Sequence, residues 1–226
     1  MWRSLSLCSG IGGLDLALRR WVQPQAFCEI DTFCQAILRA RFPGVPVIDD
    51  IRTLRDPIYE PLDLVVAGFP CQPFSTASRG RRTATNLWPE VLRIVSQSQP
   101  GWVFLENVQR DPIYRAAQDL SSRGYQGAVA QVCASQVGAP HDRPRWWLLA
   151  HTDYAKQPDF SVDAEVARLS ASAGSWDALP GGLLDVVNGV PDRMARLRAL
   201  GNAVVPACAE LAFAILLQEL TCSPSA

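Results

Sequence analysis

Short apolar runs alternate with longer stretches of helical period over the first two thirds of the chain, the pattern of βαβ units wound on a parallel sheet. Residues 4–7 are predicted as a first strand, running into Cys8-Ser9-Gly10-Ile11-Gly12-Gly13, with a helix over 14–21 behind it. A second strand over 25–29 is followed by Asp31, placed to cap a helix over 32–41. Residues 45–48 read as a third strand and 62–67 as a fourth, apolar enough to be buried on both faces. A loop rich in Ser, Gly, Pro and Arg occupies 68–85. Then come a helix over 87–98, a strand over 102–105 and a helix over 112–123 with Pro112 in its first turn. Residues 125–133 and 145–150 are predicted as a closing antiparallel pair. From 151 to 191 no period is sustained, which reads as a small irregular lobe. A short helix start over 192–200 and a strongly apolar helix over 206–220, entered at Pro206, return the chain to order.

Composition narrows this to one α/β sandwich with a small second lobe. The chain has 226 residues, 48% hydrophobic and 19% charged, enough for a single large core. The expected division is 1–150 as the main domain, 151–191 as the lobe and 192–226 as a segment returning to the main domain. A net charge of −1 excludes a protein that holds nucleic acid by bulk positive charge, though not a local basic surface. Lys156 is the single lysine among 21 basic residues, which suits a GC-rich coding sequence as well as any ligand. Seven cysteines without a CxxC pair indicate neither a disulfide framework nor a metal site. No signal-peptide segment and no membrane-length apolar run is present, so the expectation is a soluble, cytoplasmic monomer.

Four constellations carry chemistry. Gly10-x-Gly12-Gly13 between a strand and a helix, with Glu29 closing the next strand, is either a tight turn that needs small residues or a ligand turn with an acid for ribose hydroxyls. Asp50, followed by Ile51 just past the third strand, stands where it can bond a base edge. Cys71 lies between Pro70 and Pro73 in the loop that begins at Gly68, at the sheet edge where doubly wound folds bind ligands, which suits a nucleophile held at a fixed angle. The other cysteines read as small core hydrophobes. Glu106-Asn107-Val108 ends the fifth strand at the same edge, where an apolar surround raises a carboxyl pKa and keeps it protonated, unless it serves only as a cap. Arg143-Pro144-Arg145 on an extended chain directs two guanidinia to one side, as ligand contacts or as plain ion pairs.

In this order and spacing the residues resemble the DNA cytosine-5 methyltransferases, over 5–150 and 197–220. The specific matches are Pro70-Cys71-Gln72, Glu106-Asn107-Val108, Arg143-x-Arg145 and Leu200-Gly201-Asn202-Ala203-Val204-Val205-Pro206. The resemblance implies a Rossmann-like methyltransferase sandwich with S-adenosylmethionine at the glycine turn, Glu29 on its ribose, Asp50 on its adenine amine, and Ile30 and Ile51 flanking the ring. It implies further cofactor contacts from Cys8, Gly10, Gly12, Gly13, Gly68, Pro70, Asn202 and Val204. Cys71 would be the nucleophile, Glu106 the proton donor, and Arg143 and Arg145 partners of a flipped cytosine and its phosphate. Substrate contacts would come from Gln72, Ser75, Asn107 and Val108, and from Arg79, Arg81 and Arg82 on DNA phosphates.

Two departures stand out. Cys8 occupies a position that is usually aromatic in the family, and the span from Arg145 to Asn202 is far shorter than the family's target-recognition region. Few base-reading side chains are left there, which predicts a short, permissive recognition site or an auxiliary partner that supplies specificity. Restriction–modification is the expected setting. An RNA cytosine methyltransferase and a silent nucleic-acid-binding paralogue use the same residues. A nicotinamide oxidoreductase leaves Pro70-Cys71-Gln72 and Glu106-Asn107-Val108 unexplained.

Overall fold

In the computed structural model the described residues are 1–55, 61–70, 86–172, 199 and 201–222. Seven strands form one sheet: β1 (Trp2–Leu7), β2 (Val22–Cys28), β3 (Val47–Ile48), β4 (Leu64–Gly68), β5 (Trp102–Asn107), β6 (Gln126–Val132) and β7 (Arg145–His151). Their spatial order is β3-β2-β1-β4-β5-β7-β6. The first five run parallel, and β7 enters antiparallel between β5 and β6. β4 and β5 read as unbroken apolar runs because helices cover both faces of the sheet centre.

The helices are α1 (Gly13–Leu18), α2 (Thr32–Arg41), α3 (Trp88–Ser98), α4 (Arg110–Ser121), α5 (Val162–Ser172) and α6 (Pro206–Cys222). Asp31 caps α2 as expected, its Oδ1 accepting from the amides of Phe33 at 2.9 Å and Cys34 at 3.1 Å. One core joins α3 and α4 to the sheet through Val91, Ile94, Ile113 and Leu120. The other joins α1 and α6 through Leu14, Leu18, Phe213 and Leu217. α6 is apolar along its middle, where Cys208, Ala209, Ala212, Phe213, Ala214, Leu216 and Leu217 are buried, while Glu210 and Gln218 bond to α5. Its Phe213 meets the edges of Trp2 and Phe104, while Trp2 stacks on Trp102 at 5.2 Å and Phe104 on Trp147 at 5.5 Å.

The expectation of an irregular 151–191 is corrected in part. α5 lies within it, with Ser161 Oγ accepting from the Ala164 amide at 3.3 Å at its start. Its apolar positions Val162, Val166 and Leu169 follow a helical period that intervening Ala and Ser dilute, and docking against α6 decides the outcome. Arg168 ties α5 to itself through Glu165 and to α6 through Glu210. Residues 173–198 lie outside the described residues, as does most of the predicted helix start; Ala199, Gly201 and Asn202 are helical. No helix among the described residues is long and apolar enough to cross a membrane.

Candidate active site

The carboxyl ends of β1, β2, β4 and β5 open onto a cleft of about 620 Å³. At its β1 side the chain turns sharply: Cys8, Gly10 and Gly12 all have positive φ, of 51°, 55° and 78°. Gly10 lines the cleft, and a Cβ there would stand in open space. Its amide donates to Glu29 Oε2 at 2.7 Å, and Glu29 Oε1 accepts from the Asp31 amide at 2.9 Å. One carboxylate therefore staples the turn to the start of α2 and keeps lone pairs for a ligand hydroxyl. Gly12 and Gly13 face away from the cleft. A Cβ on Gly12 would stand 2.6 Å from Phe42, and one on Gly13 would stand 2.9 Å from Val204. Their smallness lets α2 and the segment before α6 press against the turn.

Cys8 lines the cleft as an inert thiol, since burial first and the Glu29 carboxylate second raise its pKa far above the usual value. Cys28 is pushed up to about 12 by burial first and by Glu29 second. Ile30 is exposed at the cleft, with 63% of its surface free, while Ile51 is buried beneath the opposite side. Asp50 is held by Arg52, whose Nε and Nη2 donate to its two oxygens at 2.9 and 2.8 Å. Those bonds hold the Asp50 carboxyl below its ordinary pKa.

The other end of the cleft is set by register. Parallel pairing puts Glu106 beside Gly68, and antiparallel pairing puts Trp147 across from Glu106. A Cβ on Gly68 would come 3.2 Å from Glu106 Oε2, so the bare backbone makes room for the carboxyl. Glu106 is only 7% exposed. Arg145 Nε stands 3.1 Å from its Oε1, misaligned for a hydrogen bond, so the oxygen is left without one. Burial wins over the pair: the Glu106 pKa rises from 4.5 to about 7, with Arg145 and then Arg143 pulling it back. Asn107 turns to the other face, donating from Nδ2 to the Phe69 carbonyl at 2.8 Å and accepting the Gln109 amide on Oδ1 at 3.0 Å. The Leu87 amide donates to the Pro70 carbonyl at 3.3 Å, so Phe69 and Pro70 are both held, by Asn107 and by the residue before α3.

Of the residues singled out in the sequence, Cys8, Gly10, Glu29, Ile30, Asp50, Ile51, Gly68, Pro70, Glu106, Asn107, Val108, Arg145 and Asn202 come together around the cleft. Gly12, Gly13 and Val204 stand behind it. Arg143, expected beside the substrate, does not line the cleft; its Nη2 donates to the carbonyls of Gly201 at 2.6 Å and Ala203 at 2.8 Å. Cys71, Gln72, Ser75, Arg79, Arg81 and Arg82 lie outside the described residues. Sequence reasoning missed Arg52, Leu87 and Asp31 in the lining. Arg52 was within reach of inference, since an arginine two residues past an acid in a turn regularly pairs with it.

Three comparisons bear on these features. The pattern of the family described as "C-5 cytosine-specific DNA methylase" matches residues 2–171. The chain is 30% identical over 189 residues to the type II methyltransferase M.CviJI of Paramecium bursaria Chlorella virus IL3A, covering 78% of this chain and 49% of that protein. It is 34% identical over 162 residues to the type II methyltransferase M2.BsuMI of Bacillus subtilis, covering 65% of this chain and 41% of that protein. The fold is similar to that of Spodoptera frugiperda DNMT2, with a TM-score of 0.59 at 22% identity over 70% of this chain and 52% of that one. The chain thus spans about half the length of the proteins it resembles.

Proposed function

Because this chain belongs to the C-5 cytosine-specific DNA methylase family, we propose that it transfers a methyl group from S-adenosylmethionine to carbon 5 of a cytosine turned out of DNA. The observation that carries the reading is Glu106: a buried carboxyl with its pKa near 7, across one cleft from a ligand turn with a hydroxyl-binding acid.

The cleft suits the cofactor. Gly10 leaves bare backbone beside Glu29, whose free lone pairs fit ribose hydroxyls, and Ile30 and Ile51 offer apolar faces to an adenine whose amine Asp50 can accept. When bound, S-adenosylmethionine supplies an electrophilic methyl group. Carbon 5 of cytosine is too weak a nucleophile to take it unaided. The Cys71 thiolate adds to carbon 6 while protonated Glu106 gives its proton to ring nitrogen 3, and the resulting enamine is nucleophilic at carbon 5. After methylation a base takes the proton from carbon 5, the carbon–sulfur bond breaks, and nitrogen 3 returns its proton to Glu106. Arg145 balances the charge that Glu106 carries in between.

Residues 1–150 form the catalytic body in this reading, with 192–226 returning to it. The span 151–191 reads a short, permissive DNA site, while Arg79, Arg81 and Arg82 hold phosphates. The protein acts on DNA as a monomer in the cytoplasm, as part of a restriction–modification system. The test is tritium transfer from labelled cofactor to duplex DNA and, in parallel, to tRNA. A DNA duplex bearing 5-fluorocytosine should form a denaturation-resistant adduct with the wild type and none with Cys71→Ala. Transfer by Cys71→Ala, or preference for tRNA, would overturn the proposal.

A further inference from the structure

Arg143 and Arg145 stand two residues apart on an extended segment, and on a period of two their side chains share one side. They separate in the structure. Arg145 turns to Glu106, whereas Arg143 reaches along the chain to the segment before α6. Its Nη2 alone serves two carbonyls, those of Gly201 and Ala203, at 2.6 and 2.8 Å. A guanidinium nitrogen carries its two hydrogens in a fixed plane, so both bonds form only when the two peptide groups hold one mutual orientation. The residue between those carbonyls is Asn202.

Three further observations agree. Gly201, Asn202 and Ala203 all line the cleft, so the clasped segment is one of its walls. The Ala203 amide donates to the Ala199 carbonyl at 3.0 Å, which closes a last helical turn at the point where a cation is favoured near exposed carbonyls. Val204, the next residue, is pressed into the space left by Gly13 at the start of α1. The wall is thus pinned from below by the glycine turn and from the side by Arg143. With Nη2 committed to these carbonyls, the Arg143 guanidinium is turned to the wall, and Arg143 does not line the cleft.

We propose that Arg143 is a positioning residue of the cofactor cleft: by clasping the carbonyls of Gly201 and Ala203 it holds Asn202 against the cleft, while Arg145 is the arginine in contact with Glu106. This rests on the reading of the cleft as an S-adenosylmethionine site. Arg143→Ala should weaken S-adenosylmethionine binding in calorimetry by about tenfold or more, the scale of losing a hydrogen bond to a charged group. Affinity for a DNA duplex, measured by fluorescence anisotropy, should stay within twofold. Arg143→Lys, which keeps a cation near the carbonyls, should recover most of the loss. Asn202→Ala should weaken cofactor binding in the wild type and add little in the Arg143→Ala background, because both changes release one wall. Amide exchange at Ala203 should quicken in Arg143→Ala. Unchanged cofactor affinity with reduced DNA affinity in Arg143→Ala would overturn the proposal and make Arg143 a substrate contact. Failure of the wild type to bind S-adenosylmethionine would sink the functional reading instead, and unchanged exchange at Ala203 would then overturn the clasp by itself.

Discussion

Replacing Glu106 with glutamine separates two opposing forces at one carboxyl. If the ion pair with Arg145 dominated, ionised Glu106 would stabilise the fold and its loss would cost stability at neutral and alkaline pH. Burial dominates instead, and the pKa rises from 4.5 to about 7. The folded protein then keeps a proton that the unfolded chain releases, so wild-type stability falls as pH climbs from 4.5 to about 7 and levels off above. Glutamine copies the protonated form and feels none of this. At about 1.36 kcal/mol per pH unit, a displacement from 4.5 to about 7 makes Glu106→Gln more stable than wild type by about 3 kcal/mol at pH 8. The two proteins should match near pH 4.5. With a urea m-value of about 2–3 kcal/mol/M, the midpoint of the variant should lie about 1 M higher at pH 8. Urea denaturation followed by tryptophan fluorescence at pH 5, 6, 7 and 8 reads this directly. A gain that does not grow with pH, or a variant less stable than wild type at pH 8, would refute the reasoning. The more stable protein should also be the slower enzyme, since it lacks a proton to give.

Glu106→Gln should reduce methyl transfer by roughly 100-fold in a single-turnover assay, the scale of losing a positioned general acid. Glu29→Ala should abolish calorimetric binding of S-adenosylmethionine and also loosen the turn, seen as faster exchange of the Gly10 amide that donates to it. Gly13→Ala brings a methyl to 2.9 Å from Val204 and should cost about 1–3 kcal/mol in thermal or urea unfolding, as overpacking does. Asp31→Ala removes two cap bonds and should cost about 1 kcal/mol in urea unfolding, while its backbone amide keeps the bond to Glu29 and cofactor affinity in calorimetry stays within about twofold.

What the sequence made legible follows from range. The parallel sheet could be read because β4 and β5 are buried on both faces and so contain no polar alternation. Glu106 could be read for the same reason, as the first acid after four apolar residues. The Asp31 cap is a local bond, two residues long. The fate of Arg143 was not legible, because its partners lie 58 and 60 residues away and nothing local distinguishes it from Arg145. The roles of Gly12 and Gly13 were hidden likewise: a glycine that admits a phenyl ring and one that admits a valine look alike until Phe42 and Val204 arrive. α5 escaped notice because its helix depends on a partner at the far end of the chain.

That partner, α6, has a consequence for the order in which the protein is made. Trp2 opens β1 at the start of the chain and Trp147 sits in β7, yet the ring that packs against this aromatic layer, Phe213, belongs to the last helix. At a ribosomal rate of roughly 5–20 residues per second, the nascent sheet waits several seconds with one indole-rich face bare. The sheet cannot be sealed early, since contacts of such long sequence separation form late. A nonsense codon ahead of Pro206 would turn that transient apolar face into a permanent one.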